Sequence, residues 1–443
     1  MTTLCCELAW LGGARPEPGI VIEVEGDRIA SVGRSERPPA GAERLEGVTI
    51  PGLANAHSHA FQRALRARTE SGRGSFWTWR EQMYELARRL DPDSYLRLAR
   101  ATFAEMALAG ITVVGEFHYL HHRADGGTYD DPNAMGLAVA QAAEEAGVRM
   151  TLIDACYLHG GFGEEPAGAQ RGFSDGTADA WAERVTALAP GPAVRIGAAI
   201  HSVRAVDPDS AALVAAWARE REAPLHAHVS EQPAENEVCV AAHSTTPTGV
   251  LERAGALSPA FTAVHATHVT DDDVALLGGA RATCCICPTT ERALADGIAG
   301  AARLRTAGAS LSLGSDSHAA IDPFEEARAV ELDERLATGE RGHHTAAELL
   351  SAATADGYAC LGWRDGGRIE VGALADLTTV TLSSVRLAGT PSELALDGLV
   401  YAATANDVSN VMVGGRWIVR DGRHLAVDVG GELDTAIRAA FGE

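Results

Sequence analysis

The chain has 443 residues, 46% of them hydrophobic and 22% charged, with a net charge of −23, enough to bury a substantial core as one large α/β barrel or two to three domains. Such acidity repels phosphate backbones and excludes a surface built for nucleic acid. All 37 basic residues are arginine, which also excludes Schiff-base chemistry, P-loop phosphate binding and a lysine-derived metal bridge.

The N-terminus, MTTLCCELAW, lacks the basic start and long apolar core of a secretion signal, and no apolar run reaches the roughly 18 residues needed to cross a bilayer. A cytoplasmic location without membrane contact is the expectation. The first segment of note, GIVIEVEGDRIASVG, alternates apolar and polar residues around a Gly-Asp turn and predicts a hairpin. From residue 45 onward, eight short apolar runs follow one another: VTIPGLANAH, ITVVGEFHYL, VRMTLIDACY, VRIGAAIHSV, PLHAHVSE, FTAVHATHV, ATCCICP and LSLGSDSH. Between them lie helical patterns such as DPDSYLRLARATFAEMALAG, DPNAMGLAVAQAAEEAG and DSAALVAAWAREREA, several opening on Asp or Ser near Pro and closing at Gly. Eight strand–helix units predict a TIM-type (β/α)8 barrel over residues 48–366. Beyond it, GRIEVGALADLTTVTL and VSNVMVGGRWIVRDGRHL read as strand-turn-strand. Residues 1–47 and 367–443 are expected to join in a small β-sandwich domain. The glycine-rich GGFGEEPAGAQRGFSDG predicts a long loop, a candidate lid. The eight cysteines are too few and too scattered for a disulfide framework, and the C-x-x-C at Cys284 and Cys287 reads as a buried strand.

Barrel active sites lie at the C-terminal ends of the strands. The first strand ends in His57-x-His59, two side chains that share a face. The fourth delivers His201, with Arg204 three residues on. The fifth ends in His226-Ala-His228-Val-Ser-Glu231, the sixth carries His265 and His268, and the eighth ends in Gly314-Ser315-Asp316-Ser317-His318. A lone strand-end histidine is more often structural, and an aspartate after Gly-Ser more often a turn residue. Histidine or aspartate at the same end of five strands is instead the distribution of a metal-centred hydrolase. Zinc or iron would take His57, His59, one fifth-strand histidine and Asp316, leaving a position for water.

The pattern H-x-H after the first strand, H-x-x-E at the fifth, a sixth-strand histidine and S-D after the eighth resembles the amidohydrolase superfamily, and GRIEVGALADL resembles its companion β-domain. The missing lysine points to the single-metal members, whose usual work is deamination. The resemblance implies His57, His59, His228 and Asp316 as ligands of one divalent ion, zinc first, with iron or manganese as alternatives. It makes Glu231 the proton carrier to the leaving nitrogen, Asp316 the general base toward a water acidified by the metal, and His265 the group that stabilises the tetrahedral centre.

HAFQRAL, SFWTWREQMYE, GEFHYLHH, AIHSVRAV, HVSEQ, VHATHVT, CPTTE and GSDSH together resemble the formiminoglutamate deiminases, a family that converts N-formimino-L-glutamate and water to N-formyl-L-glutamate and ammonia in histidine degradation. Arginine suits such a small, acidic, amino-acid-derived substrate because its planar fork pairs with carboxylates. Arg204 and Arg80 are placed for this, and the resemblance adds Gln62, Tyr119 and His201 as substrate contacts and a homodimer as the assembly. Trp77 and Trp79 are expected to pack, and His121, His122, His343 and His344 to lie on the surface. One departure from the family pattern is RALADG at residues 292–297, where Arg292 could alter the pocket edge. The rival reading is a deaminase of a nucleobase such as guanine or cytosine, which would favour aromatic walls over paired arginines.

Overall fold

The computed structural model describes residues 1–35, 37–70, 74–189 and 191–443. Among these residues, sixteen strands form two sheets. Four lie at the N-terminal end: β1 (Thr2–Ala9), β2 (Glu17–Glu25), β3 (Arg28–Arg34) and β4 (Glu43–Pro51). Eight follow as β5 (Leu53–Ser58), β6 (Ile111–His118), β7 (Arg149–Cys156), β8 (Val194–Ile200), β9 (Leu225–Val229), β10 (Phe261–His265), β11 (Thr283–Ile286) and β12 (Ser310–Leu313). The last four are β13 (Leu377–Val380), β14 (Val408–Val413), β15 (Arg416–Arg420) and β16 (Arg423–His424).

Strands β5 to β12 pair in sequence order, every neighbour parallel. Parallel strands covered on both faces read as continuous apolar runs, and β6 and β7 are buried at every position. The sheet closes where β12 returns to β5. There the Asp316 N–H donates to the His57 carbonyl at 3.0 Å and the His59 N–H to the Asp316 carbonyl at 3.2 Å. Gly314 permits this seam, since a Cβ there would stand 2.7 Å from the His57 Cβ and 2.9 Å from the Cys287 Sγ. The outer helices begin where Asp precedes Pro. Asp91, Asp207 and Asp322 each cap a helix whose first turn holds Pro92, Pro208 or Pro323, so a carboxylate satisfies free amide groups at the end where proline costs nothing.

Both chain ends build the second sheet, in the order β16-β15-β14-β13-β4-β1-β2-β3. The N-terminal hairpin is β2 against β3. The run VTIPGLANAH divides: β4 joins the mixed sheet and β5 the barrel, and the chain turns at Gly52, where a Cβ would collide with the Thr112 side chain. Of GRIEVGALADLTTVTL only Leu377–Val380 is a strand; its first half contributes just the bridge from Leu374 to Arg28. Arg149, at the start of β7, locks the two sheets together through a buried fork onto Asp376 at 2.7 and 3.2 Å, and Asp376 also accepts from Tyr358 and the Gly414 N–H. Among the described residues, no helix is long and apolar enough to cross a membrane.

Three of the four histidines expected at the surface are buried. His121 Nε2–H donates to the Ala155 carbonyl at 2.8 Å, His122 sits 2.9 Å from Asp175, and His344 lies 3.1 Å from Glu334. Each polar ring finds a partner that is remote or hidden in sequence, which offsets the cost of burying it. His343 is half-buried.

Candidate metal centre and active site

At the C-terminal mouth of the barrel, His57 and His59 from β5, His228 from β9 and Asp316 after β12 bring four donor atoms within 4.8 Å of one another. His57 Nε2 and His59 Nε2 each lie 3.3 Å from Asp316 Oδ1, and His228 Nε2 lies 3.1 Å from His57 Nε2. Two donors each about 2.1 Å from a common ion, at angles between tetrahedral and square, stand about 3.0–3.4 Å apart; the observed edges fit that spacing. The rings are also turned correctly. His59 Nδ1 is 2.9 Å from the Phe117 carbonyl and His228 Nδ1 is 2.9 Å from the His201 carbonyl, so each donates backward and offers Nε2 to the centre. Burial, helped by the neighbouring imidazoles, holds His57 and His59 far below the usual histidine range and pushes His228 down to about 3. All three are therefore neutral, as metal ligands must be. The donor set of three imidazoles and one carboxylate suits a divalent transition metal.

His226 takes no part in the cluster. Its Nε2 faces the Cys360 carbonyl at 3.3 Å, one strand repeat deeper in the barrel.

Beside the four donors stand two further groups. His265 Nε2 lies 3.7 Å from Glu231 Oε1 and 3.8 Å from Asp316 Oδ2. Burial would lower this histidine, but Glu231, Glu291 and Asp316 outweigh it and raise it well above its ordinary value. Burial lifts the Glu231 carboxyl to about 7, with Asp316 and Glu235 pushing the same way against His265 and Arg204. A carboxyl in that range holds a proton near neutral pH and can release it. His265 and Asp316 themselves occupy left-handed backbone, with φ of 68° and 43°, a conformation that persists in L-residues only where the surroundings enforce it. The seam hydrogen bonds on both sides of Asp316 supply that enforcement.

These groups line part of a cavity. Arg204, Arg80, Gln62, Tyr119 and His201 line the rest, together with Trp79, Tyr157 and Phe173. Gln62 Nε2 donates to the Tyr119 hydroxyl at 2.9 Å, while its Oε1 is buried without a partner among the described residues. The Arg204 Nε is likewise buried without a hydrogen-bond acceptor, and among the described residues neither Arg204 nor Arg80 has a carboxylate within 4.0 Å. Arg80 instead stacks on Trp77 and Tyr84 at 4.6 and 5.5 Å. Trp79 packs against the hydrophobic core and also lines the cavity, whereas Trp77 is 45% exposed.

The candidate lid is a packed wall. Gly168–Phe173 forms a 3-10 turn, Gln170 donates to the Tyr157 and Tyr84 hydroxyls at 2.9 and 3.2 Å, and Phe173 is buried against the cavity. Arg292 points away from it, paired with Asp333 and Glu325 at 2.7 and 2.8 Å, while Leu294 of the same segment reaches the lining. Sequence reasoning assigned no role to Glu235, which lines the cavity near Arg204, or to Glu291, which sits behind His265. The signal for Glu291 was its place in CPTTE, just past the end of the seventh barrel strand.

The sequence profile of the amidohydrolase family matches residues 48–418, and the chain belongs to that family, a hydrolase acting on carbon–nitrogen bonds. It is 37% identical over 440 residues to a formimidoylglutamate deiminase of Pseudomonas aeruginosa, covering 96% of each chain. It is 30% identical over 427 residues to a 5-methylthioadenosine/S-adenosylhomocysteine deaminase of Natronomonas pharaonis, covering 95% of this chain and 93% of the relative. The crystal structure of an amidohydrolase from Brucella melitensis superposes with a TM-score of 0.90 at 30% identity, covering all of both chains.

Proposed function

We propose that this member of the amidohydrolase family hydrolyses the formimino carbon–nitrogen bond of N-formimino-L-glutamate, releasing ammonia and leaving N-formyl-L-glutamate. The observation that carries the reading is the cavity lining: a four-donor cluster with a protonatable glutamate beside it, and two arginines without carboxylate partners among the described residues. The similarity to a formimidoylglutamate deiminase along 96% of both chains supports the same substrate.

His57, His59, His228 and Asp316 would hold a divalent ion such as zinc, which would supply an acidified water and positive charge beside the scissile carbon. Arg204 and Arg80 hold the two substrate carboxylates through paired charge-assisted hydrogen bonds. Gln62, Tyr119 and His201 fix the chain between them, so that the formimino carbon is presented to the cluster in one orientation. Asp316, with Oδ1 toward the ligand centre and Oδ2 toward His265, takes the proton of the attacking water. His265 donates toward the oxygen as the trigonal carbon becomes tetrahedral. Glu231 then protonates the departing nitrogen, and the carbon–nitrogen bond breaks as the formyl C=O forms.

Ammonia release by zinc-loaded protein from N-formimino-L-glutamate, with guanine and cytosine run in parallel, tests this. Saturable turnover of the formimino compound alone supports it. Turnover of a nucleobase alone discards the arginine clamp.

A further inference from the structure

We propose that Glu291 is the positioning residue of His265: its carboxylate accepts the imidazole Nδ1–H and thereby makes Nε2 the nitrogen presented to the reacting carbon. The chemistry invoked rests on the deiminase reading above; the geometry is independent of it.

Glu291 follows β11 in the helix Pro288–Leu294 and is 3% exposed. Its Oε1 accepts the Cys287 N–H at 2.9 Å and lies 3.3 Å from His265 Nδ1. Helix capping accounts for the first contact. It does not account for the choice of a carboxylate, since a neutral side chain caps an amide without burying charge. Among the described residues no arginine approaches Glu291 within 4.0 Å, and His265 is its one ion-pair partner. A buried carboxylate is kept where it is paired, and here the partner is the imidazole facing Glu231 and Asp316.

The backbone gives a second reason. At the end of β10 the chain leaves through two consecutive left-handed residues, His265 at φ 68° and Ala266 at φ 50°, so neither strand nor helix geometry fixes the ring. An imidazole free about its Cβ–Cγ bond could present carbon or Nδ1 to the site. With Nδ1 held by Glu291, the opposite edge puts Nε2 3.7 Å from Glu231 and 3.8 Å from Asp316. That Nε2 is buried without a hydrogen-bond partner among the described residues, as expected of a group kept for substrate. The arrangement follows the logic of a carboxylate orienting a catalytic histidine from behind.

Glu291→Gln tests this, because the amide oxygen can still accept from the Cys287 N–H while the charge is lost. Kinetics on N-formimino-L-glutamate should show kcat lower by about 10–100-fold, with KM within about threefold and metal content unchanged. In a His265→Asn background the same substitution should cost less than about twofold, since the residue acts through a ring no longer there. Equal losses in both backgrounds overturn the proposal. Glu291→Asp, which keeps the charge and withdraws it by one methylene, should also lose kcat rather than KM; full kcat in that variant counts against positioning. If the wild type does not turn over this substrate, the deiminase reading fails while the positioning claim remains testable by ¹⁵N NMR of the metal-loaded protein. The His265 Nδ1 resonance should move in Glu291→Gln, and an unmoved resonance overturns the proposal without reference to activity.

Discussion

Replacing Arg204 by methionine isolates the carboxylate clamp from the chemistry. The side chain lines the same cavity as the four-donor cluster, with its Nε buried and unpartnered among the described residues. Removing it therefore breaks no ion pair that holds the fold together, and methionine fills much of the same volume. What is lost is the pairing with a substrate carboxylate. Charge-assisted hydrogen bonds are worth roughly 1.5–3 kcal/mol each, so a two-pronged pair contributes about 3 kcal/mol at the low end. At about 1.4 kcal/mol per factor of ten, KM should rise by about 100-fold. Because the carboxylate does not change during the reaction, the loss is shared by ground and transition states, and kcat should stay within about threefold. Arg204→Lys should recover part of the affinity, since it restores the charge but not the fork. Steady-state ammonia release against substrate concentration measures both constants, with the thermal midpoint as a folding control. An unchanged KM, or a fall in kcat at constant KM, would refute the assignment of Arg204 to substrate binding.

Glu231→Gln should retain a full equivalent of metal and lose about 10²–10⁴-fold in kcat, since an amide cannot deliver a proton; near-normal turnover removes Glu231 from that role. Asp316→Asn should emerge from dialysis with well under one equivalent of zinc by atomic absorption, and full retention would contradict the proposed ligand set. Stripping the metal with a chelator should abolish turnover and lower the thermal midpoint, with both restored by zinc, because a ligand bound only to the folded state adds about 2.7 kcal/mol at 100 times its Kd. Just before β14, burial opposes ionisation of Asp407, but Arg386 at 2.8 Å and the Thr404 N–H at 2.8 Å outweigh it and hold the carboxyl down to about 2 from 3.8. A folded value below the unfolded one gives stability that is present above the unfolded value and lost as pH falls through about 4 toward 2. Metal-free Asp407→Asn should show a flatter fall in thermal midpoint across that window than wild type, and parallel curves would contradict the assignment.

The barrel was legible because its strands announce themselves twice, as short apolar runs and by the residues at their C-terminal ends. The cluster His57, His59, His228 and Asp316 followed from that end alone, together with a family resemblance to choose His228 over His226. Strand periodicity sends both fifth-strand histidines inward, and only depth separates them: His228 reaches the mouth, while His226 stops at the Cys360 carbonyl. Where sequence reasoning failed, the deciding partner was distant or hidden. His122 is buried because Asp175, 53 residues away, meets it, and nothing local in a tandem histidine pair reports that. The break between β4 and β5 depends on the crowding of Gly52 by Thr112, a contact set by another strand. Glu291 is similar, since its neighbours in sequence show a helix start and only the fold brings His265 against it.

On the proposed deiminase reading, the charges around the cavity would make the metal a condition for substrate binding as well as for chemistry. Glu231, Glu235 and Asp316 line it against Arg80 and Arg204, so carboxylates outnumber guanidiniums, and a substrate with two carboxylates would meet a wall of its own sign. A divalent ion among the four donors reverses that balance, and a proton on Glu231, whose burial raises it to about 7, shifts it further. A carboxylated-lysine bridge to a second ion is excluded at this cluster. The chain has no lysine to bridge one, and His226, the spare imidazole on β9, is turned to a backbone carbonyl. On the proposed deiminase reading, one ion beside two arginines would divide the cavity into a reacting end and a carboxylate-holding end, as an acidic amidine substrate requires.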